Sequence, residues 1–361
     1  MNDDFVTRLQ FQLRDAAERE ARRGTFARAA ATTRWRVVSS PVLAGAALAC
    51  VLALAIVLAT TRTADRDVPR PVEQAVPSGH GLEVVGRSAL VTQGGVIAPG
   101  FGAVWAIDAG TGEVLRIDPR SRRVLARVPV GAQPFVNVGA GAVWVTAGGR
   151  LLRIDPASNR ISARIPLGLG ARSYVAVFPG REVMWVITAL ELIRVDPDRN
   201  AIDRRIQLEH ESFLARGFAT DGNQLYVLRG DEVLLILDAA TGATVSTTRL
   251  GLKGFLLGAT DGTVLLETAS GVVAVDARSG RTLWREDTGA ERVNDAFVAG
   301  GKVWIHATDR DTQRDRLLRL DLRDGSVTGS LTLPEFGVAG MAPVGRDVWV
   351  VSPGGRLVAV R

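Results

Sequence analysis

The sequence predicts an all-β fold: a seven-bladed β-propeller whose N-terminal strand closes the last blade, preceded by a single transmembrane helix. Three observations carry this expectation. Residues 37–61 form a stretch without charge; seven repeats follow it; and a strand-like segment at 82–91 matches a strand missing at the C-terminus.

Residues 1–36 hold eight arginines against five carboxylates, and Phe5, Leu9 and Leu13 recur every four residues, with Ala16 and Ala17 continuing the stripe. That pattern is an amphipathic helix. It offers a face to a cytoplasmic partner or to the membrane surface, although so short a helix is marginal without one. A bilayer core takes about 20 apolar residues in a helix because backbone groups there must bond internally. Residues 37–61 supply that, with Pro41 in the first turn, where a missing N–H matters least. Arg19, Arg22, Arg23, Arg28, Arg34 and Arg36 precede the stretch, against Arg62, Arg66 and Arg70 after it. The positive-inside rule then places the N-terminus inside and the rest outside a bacterial cytoplasmic membrane, in single-pass topology. The apolar run is too long and begins too late for a cleaved signal peptide. Cys50 is preceded by Ala47, Leu48 and Ala49 and followed by nine more apolar residues, unlike a lipoprotein signal. Residues 62–80, with Pro69, Pro71 and Pro77, read as a solvated spacer. The propeller is expected over 81–361.

Composition narrows the function. Only Lys253 and Lys302 of the 44 basic residues are lysine, and beyond residue 81 there are 33 basic and 30 acidic residues, spread along the chain. A nucleic-acid-binding surface would cluster its charge and interleave aromatics, so no nucleic acid is expected as a partner. The single cysteine excludes a disulfide, zinc knuckle or iron–sulfur site within one copy.

The repeats begin with apolar strands around Trp105, Trp144, Trp185, Tyr226, Leu265, Trp304 and Trp349, spaced by 39, 41, 41, 39, 39 and 45 residues. That period is one four-stranded propeller blade. The next strand of six repeats ends on Asp118, Asp155, Asp196, Asp238, Asp276 or Asp321. Four residues later come Arg122, Asn159, Asn200, Gly242, Gly280 and Gly325. Aspartate starts a turn by bonding its own backbone, and Gly or Asn tolerates the left-handed residue that ends it. Arg122 is the exception. Six copies of one turn, not a ring of metal ligands, is the reading these aspartates support. Third strands such as ISARIPL (161–167) lead to small-residue inner strands at 174–180, 255–260 and 336–342. The aromatics at one repeat position are expected to pack between blades. The last repeat stops after RLVAVR (356–361), one strand short, and residues 82–91 are expected to complete it.

The units GAVWVTAGGRLLRIDPASNRISARIPLG (141–168) and GVVAVDARSGRTLWRED (271–287) resemble repeats of the quinoprotein-like and streptogramin-lyase-like propellers. The second, with Trp284 after Ser279 and Gly280, is most similar to the quinoprotein (PQQ-type) repeat. The resemblance covers about residues 82–361 and implies a fold shared by dehydrogenases, lyases, scaffolds and sensors. A quinone-dependent dehydrogenase of that kind would need a calcium site and usually adjacent cysteines. A lyase would use His and Glu with magnesium near the axis. The histidines are His80, His210 and His306. His210 with Glu211, in a loop leading to an inner strand, is the candidate catalytic pair; no cofactor and no metal site is predicted. In propellers the loops entering inner strands line one channel mouth, which would gather Gln133, Arg172, Lys253, Arg292, Asn294, Asp295 and Glu335 as ligand-binding candidates. The longest insertion, 306–316, alternates in charge, as a solvated hairpin tip does. The expected function is a membrane-anchored, extracytoplasmic recognition, sensor or scaffold module for a protein or small ligand. A lyase or hydrolase acting at the mouth is the alternative.

Overall fold

Each of the seven repeats folds into an antiparallel four-stranded sheet, one blade of a propeller. The computed structural model describes residues 81–361 apart from 90, 92, 132–134, 171–175, 189–190, 209–216, 270 and 334–336. The expectations for 1–36, 37–61 and 62–80 lie outside the described residues. No helix among the described residues is long and apolar enough to cross a membrane.

Blades 1 to 6 take four consecutive strands each, over residues 94–129, 135–166, 176–207, 218–249, 255–286 and 290–332. Blade 7 takes Gly340–Val344, Asp347–Val351 and Arg356–Val360, and its outer strand is Val84–Ala89 from the other end of the domain. The ring is therefore closed as the sequence predicts. The inner strand of blade 7 begins later than expected, at Gly340. In blade 7 the left-handed Gly337, at φ 80°, breaks the extended run before it can pair.

The six strand-ending aspartates do what turn chemistry asks. Asp118 accepts the N–H groups of Arg120 and Ser121, Asp155 those of Ala157 and Ser158, and Asp238 those of Ala240 and Thr241. These bonds to the ionised form hold the carboxyls below the ordinary range. The residue four places on is left-handed in every case: Asn159 at φ 58°, Asn200 at 51°, Gly242 at 71°, and also Arg122 at 57°. Arg122 accepts an unfavourable backbone conformation because its guanidinium has a place to go. It lies over Gly86, where any Cβ would come within 2.1 Å of it, and Nη2 donates to the Val85 carbonyl at 3.4 Å.

The recurring aromatics are buried between blades. Trp105, Trp144, Trp185 and Tyr226 are fully shielded, as is Leu265, which stands where blade 5 lacks an aromatic. There the gap is filled from the outer strand. Trp284 is buried, and its ring occupies the space a Cβ on Gly325 of blade 6 would need.

Neighbouring blades are also joined by a repeated polar contact. The acceptor is a backbone carbonyl just past the strand-ending aspartate of the next blade, and the donor changes from joint to joint. Arg116 reaches the Pro156 carbonyl at 2.8 Å and Arg153 the Pro197 carbonyl at 2.7 Å, each also bonding the turn asparagine. Trp185 Nε1 donates to the Ala239 carbonyl at 2.8 Å, Thr248 to Arg278 at 3.0 Å, and Trp284 Nε1 to Leu322 at 2.8 Å. Arg116 and Arg153 also lie over Trp105 and Trp144 of their own blades, 5.5 Å from the ring centroids.

A second regularity concerns the outer strands. In blades 1 to 6 the pairing of third and outer strand slips once, leaving Leu125, Ser162, Asp203, Val245, Leu283 and Thr328 as the extra residue of a bulge. At the seam, Glu83 and Arg361 exchange both backbone bonds at 3.0 Å. On the inner side, the start of the blade 1 inner strand lies against the backbone that follows the second strand of blade 7, and the Gly94 N–H donates to the Pro353 carbonyl at 2.9 Å. A Cβ on Gly94 would sit 1.9 Å from the Ser352 carbonyl oxygen, so only glycine fits.

Candidate functional site

One repeat position, two residues past the core aromatic, lies where each second strand reaches the mouth. It is occupied by Ile107, Thr146, Ile187, Leu228, Glu267, His306 and Val351. Blades 5 and 6 thus replace an aliphatic residue with a titratable one at adjacent positions. Blade 6 also has the longest strands, Ala290–Ala299 and Lys302–Asp309, which project past their counterparts.

Pairing places Asp295 opposite His306 and Asp315 opposite Thr308. A register shift between Val293 and Asp295 leaves Asn294 as an extra residue. Its side-chain amide donates to Thr308 Oγ1 at 2.8 Å, and Thr308 bonds Asp315 Oδ1 at 3.2 Å. His306 Nε2 stands 3.3 Å from that same oxygen. The other Asp315 oxygen accepts the N–H of Gly337, in the segment leading to blade 7. Glu267 Oε1 accepts the Val293 N–H at 3.1 Å, tying blade 5 to the start of blade 6. Asp295, His306 and Asp315 are only 2%, 4% and 7% exposed, so each interaction acts with little solvent screening. Burial pushes the Asp315 carboxyl up, but the His306 ring, the Gly337 N–H and Thr308 outweigh it and hold the group below its ordinary range.

Above this cluster the hairpin 309–315 repeats the turn used at the other end of the blades. Asp309 caps it, accepting the N–H groups of Asp311 and Thr312, and Gln313 is left-handed at φ 56°. Burial raises the Asp309 carboxyl, yet the Thr312 N–H and the Arg316 guanidinium at 2.7 Å bring it down to about 2. Gln313 bonds Glu291 at 2.6 Å and Arg310 reaches the Ala290 carbonyl at 3.3 Å. The insertion is exposed at its tip, as its charge pattern predicts, but its base is a buried and ordered part of blade 6.

Of the predicted mouth residues, Arg292, Asn294 and Asp295 come together here, and Lys253 is exposed in the segment entering blade 5. Asp295 departs from expectation by being buried, because the bulge at Asn294 shifts the alternation of faces. Gln133, Arg172, His210, Glu211 and Glu335 lie outside the described residues. His306, Asp315 and Glu267 also belong to the cluster, beyond the residues the sequence singles out; comparison of equivalent repeat positions points to Glu267 and His306. Among the described residues, no three His, Cys, Asp or Glu side chains are arranged to hold a metal.

The Asp315 bonds have a sign in pH. A carboxyl depressed in the folded state contributes its stabilisation above its unfolded pKa of about 3.9, and loses it as pH falls through the folded value. Amide exchange at Gly337, corrected for intrinsic rate, should therefore stay protected at about pH 5 and lose protection only below about pH 4. Loss of protection already complete at about pH 5 would refute the assignment of the latch to the Asp315 carboxylate.

The chain is a β-propeller of PQQ-type repeats. A family profile of that type, described as outer membrane protein assembly factor BamB, matches residues 229–361, which include the whole polar cluster. Among solved structures, the crystal structure of BamB from Moraxella catarrhalis is similar in fold, with a TM-score of 0.53 and 14% identity over 78% of this chain and 100% of that one. No curated protein matches the sequence.

Proposed function

We propose that this chain is a recognition or scaffold module for a protein partner, not an enzyme. It is held by residues 37–61 on the outer face of a bacterial cytoplasmic membrane. The observation that carries this reading is the blade 6 projection, a hydrogen-bonded three-strand extension whose exposed tip bears Glu291, Arg292, Arg310 and Arg314 above a buried polar base. Elements presenting mixed charge and polar groups suit specific protein recognition, where complementarity fixes register. The protein described by the matching profile is an assembly factor, which favours a protein over a small ligand here.

The test uses the full chain in its native membranes, cross-linked and purified. Arg292→Glu, Arg310→Glu and Arg314→Glu together should deplete the specific partner by about tenfold or more, as expected when charges at an interface are reversed. An unchanged set of cross-linked partners, with the variant folded, would refute the assignment to blade 6.

A further inference from the structure

We infer that the end of the propeller opposite this mouth, where the aspartate turns lie, is a docking face for an anionic phospholipid bilayer. The inference builds on the membrane-anchored reading above and adds an orientation to it. Among the described residues the exposed large hydrophobics are Phe101, Leu125, Val245, Leu283 and Val327, and all five lie at this end. Phe101 is in the turn joining the first two strands of blade 1, and the other four stand at the starts of outer strands.

Their positions in the repeat show that the fold does not ask for them. Leu125, Val245 and Leu283 are bulge residues. Where the bulge residue is polar it bonds within its own blade: Ser162 to the Arg153 carbonyl, Thr328 to the Arg319 carbonyl, and Asp203 to the Arg194 guanidinium. An aliphatic side chain can make none of these bonds, and here it is left 57%, 46% and 40% exposed. Phe101 is stranger still. It is left-handed at φ 53°, in a turn where other blades use Ala140, Asp261 or Gly300. A bulky residue is unfavourable in that conformation, and this one is exposed rather than packed.

The five side chains come from blades 1, 4, 5 and 6. Blades 4 to 6 are neighbours, but blade 1 is separated from them by blade 7 on one side and blades 2 and 3 on the other, so no single lateral patch contains them all. What they share is one end of the ring, which points to an extended, flat partner. The charges agree. Leu125 follows Arg123 closely and Leu283 is bracketed by Arg281 and Arg285, all three exposed, whereas Arg127 turns to Glu113 at the mouth end at 3.2 Å. Exposed carboxylates occur at this end too, among them Glu182, Asp198 and Asp261. The strand-ending aspartates, however, turn their oxygens onto their own backbone. Apolar side chains flanked by guanidinium groups suit the headgroup boundary of an anionic leaflet. The domain also begins here, at Glu83 beside Arg361, 22 residues beyond the uncharged stretch that ends at Thr61.

The experiment places the full chain, with Cys50→Ser, in vesicles of phosphatidylglycerol and phosphatidylethanolamine. Nitroxide labels are attached at Phe101→Cys, Leu125→Cys or Leu283→Cys, and at Thr312→Cys on the opposite end. Flotation reads anchoring, and collision with an aqueous nickel chelate reads docking. Labels at the first three sites should be shielded about fivefold relative to Thr312, as for groups at the headgroup boundary. A second variant, Phe101→Gly with Leu125→Ser, Val245→Ser and Leu283→Ser, uses residues found at equivalent places in other blades. It should float normally yet lose shielding of a label at Ser121→Cys. Floating protein with all labels equally aqueous would overturn docking and leave anchoring intact, whereas failure to float would refute both. Shielding seen only in native membranes and not in pure lipid would point to a protein partner, and would also overturn the inference.

Discussion

Removing residues 82–91 is expected to abolish cooperative folding of the propeller, not to cut away one strand. Val84–Ala89 is the outer strand of blade 7 and pairs along Arg356–Val360. Without it Leu357, Val358 and Val360, now 1%, 7% and 0% exposed, would border a bare edge, and Leu82 would be lost from the same cluster. Each large aliphatic side chain moved from core to water costs about 1.5–3 kcal/mol. Three or four of them approach the whole stability of an ordinary domain, about 5–15 kcal/mol. The new edge also presents unpaired backbone groups, which invites association. Calorimetry on the full chain should show the single transition lost or shifted by tens of degrees (a large fraction of stability,). A deletion variant melting like the wild type would refute the closure.

The second large effect is expected at the interblade aromatics. Trp144→Ala removes a fully buried ring, which costs about 3–5 kcal/mol. It also strands the Gly139 carbonyl, which now accepts from Nε1 at 2.9 Å, and takes away the surface on which Arg153 lies. At roughly 2–4 °C per kcal/mol for a domain of this size, the melting temperature should fall by about 10 °C. Trp284→Ala should match it, although outer strands usually tolerate truncation, because Trp284 fills the blade 5–6 joint that Leu265 leaves short. A fall of less than about 2 °C at Trp284, within the range of ordinary surface substitutions, would show that joint to be filled otherwise.

These two cases also show what the sequence makes legible. Blade number, strand order and ring closure follow from recurrence, since seven copies of one pattern average out local ambiguity. The aspartate turns are equally plain, because their chemistry repeats at one spacing. Arg122 is harder: residue type argues against a left-handed backbone, and only Gly86, distant in sequence, shows why it is tolerated. The bulges are invisible in advance, since a slip of one residue leaves no mark on a strand of alternating residues. That is also why Asp295 could be placed at the mouth of blade 6 but not recognised as buried. His306 becomes noticeable only when it is set beside Ile107, Ile187 and Val351 at the same place in other repeats.

The contacts that join the blades are unequal in a way that bears on sequence drift. On the receiving side of each joint is a main-chain oxygen, that of Pro156, Pro197, Ala239, Arg278 or Leu322. It is present whatever side chain that residue carries. The giving side is a particular side chain, and the five joints have settled on arginine, tryptophan or threonine. The bond itself therefore constrains only its donor, and what must match across the gap is set by the donor chosen: Asn159 and Asn200 meet the arginines, and Gly242 and Gly325 leave room for the Trp185 and Trp284 rings. Divergence in such a ring is confined to a donor and its one neighbour, while the main-chain oxygen stays available to every choice.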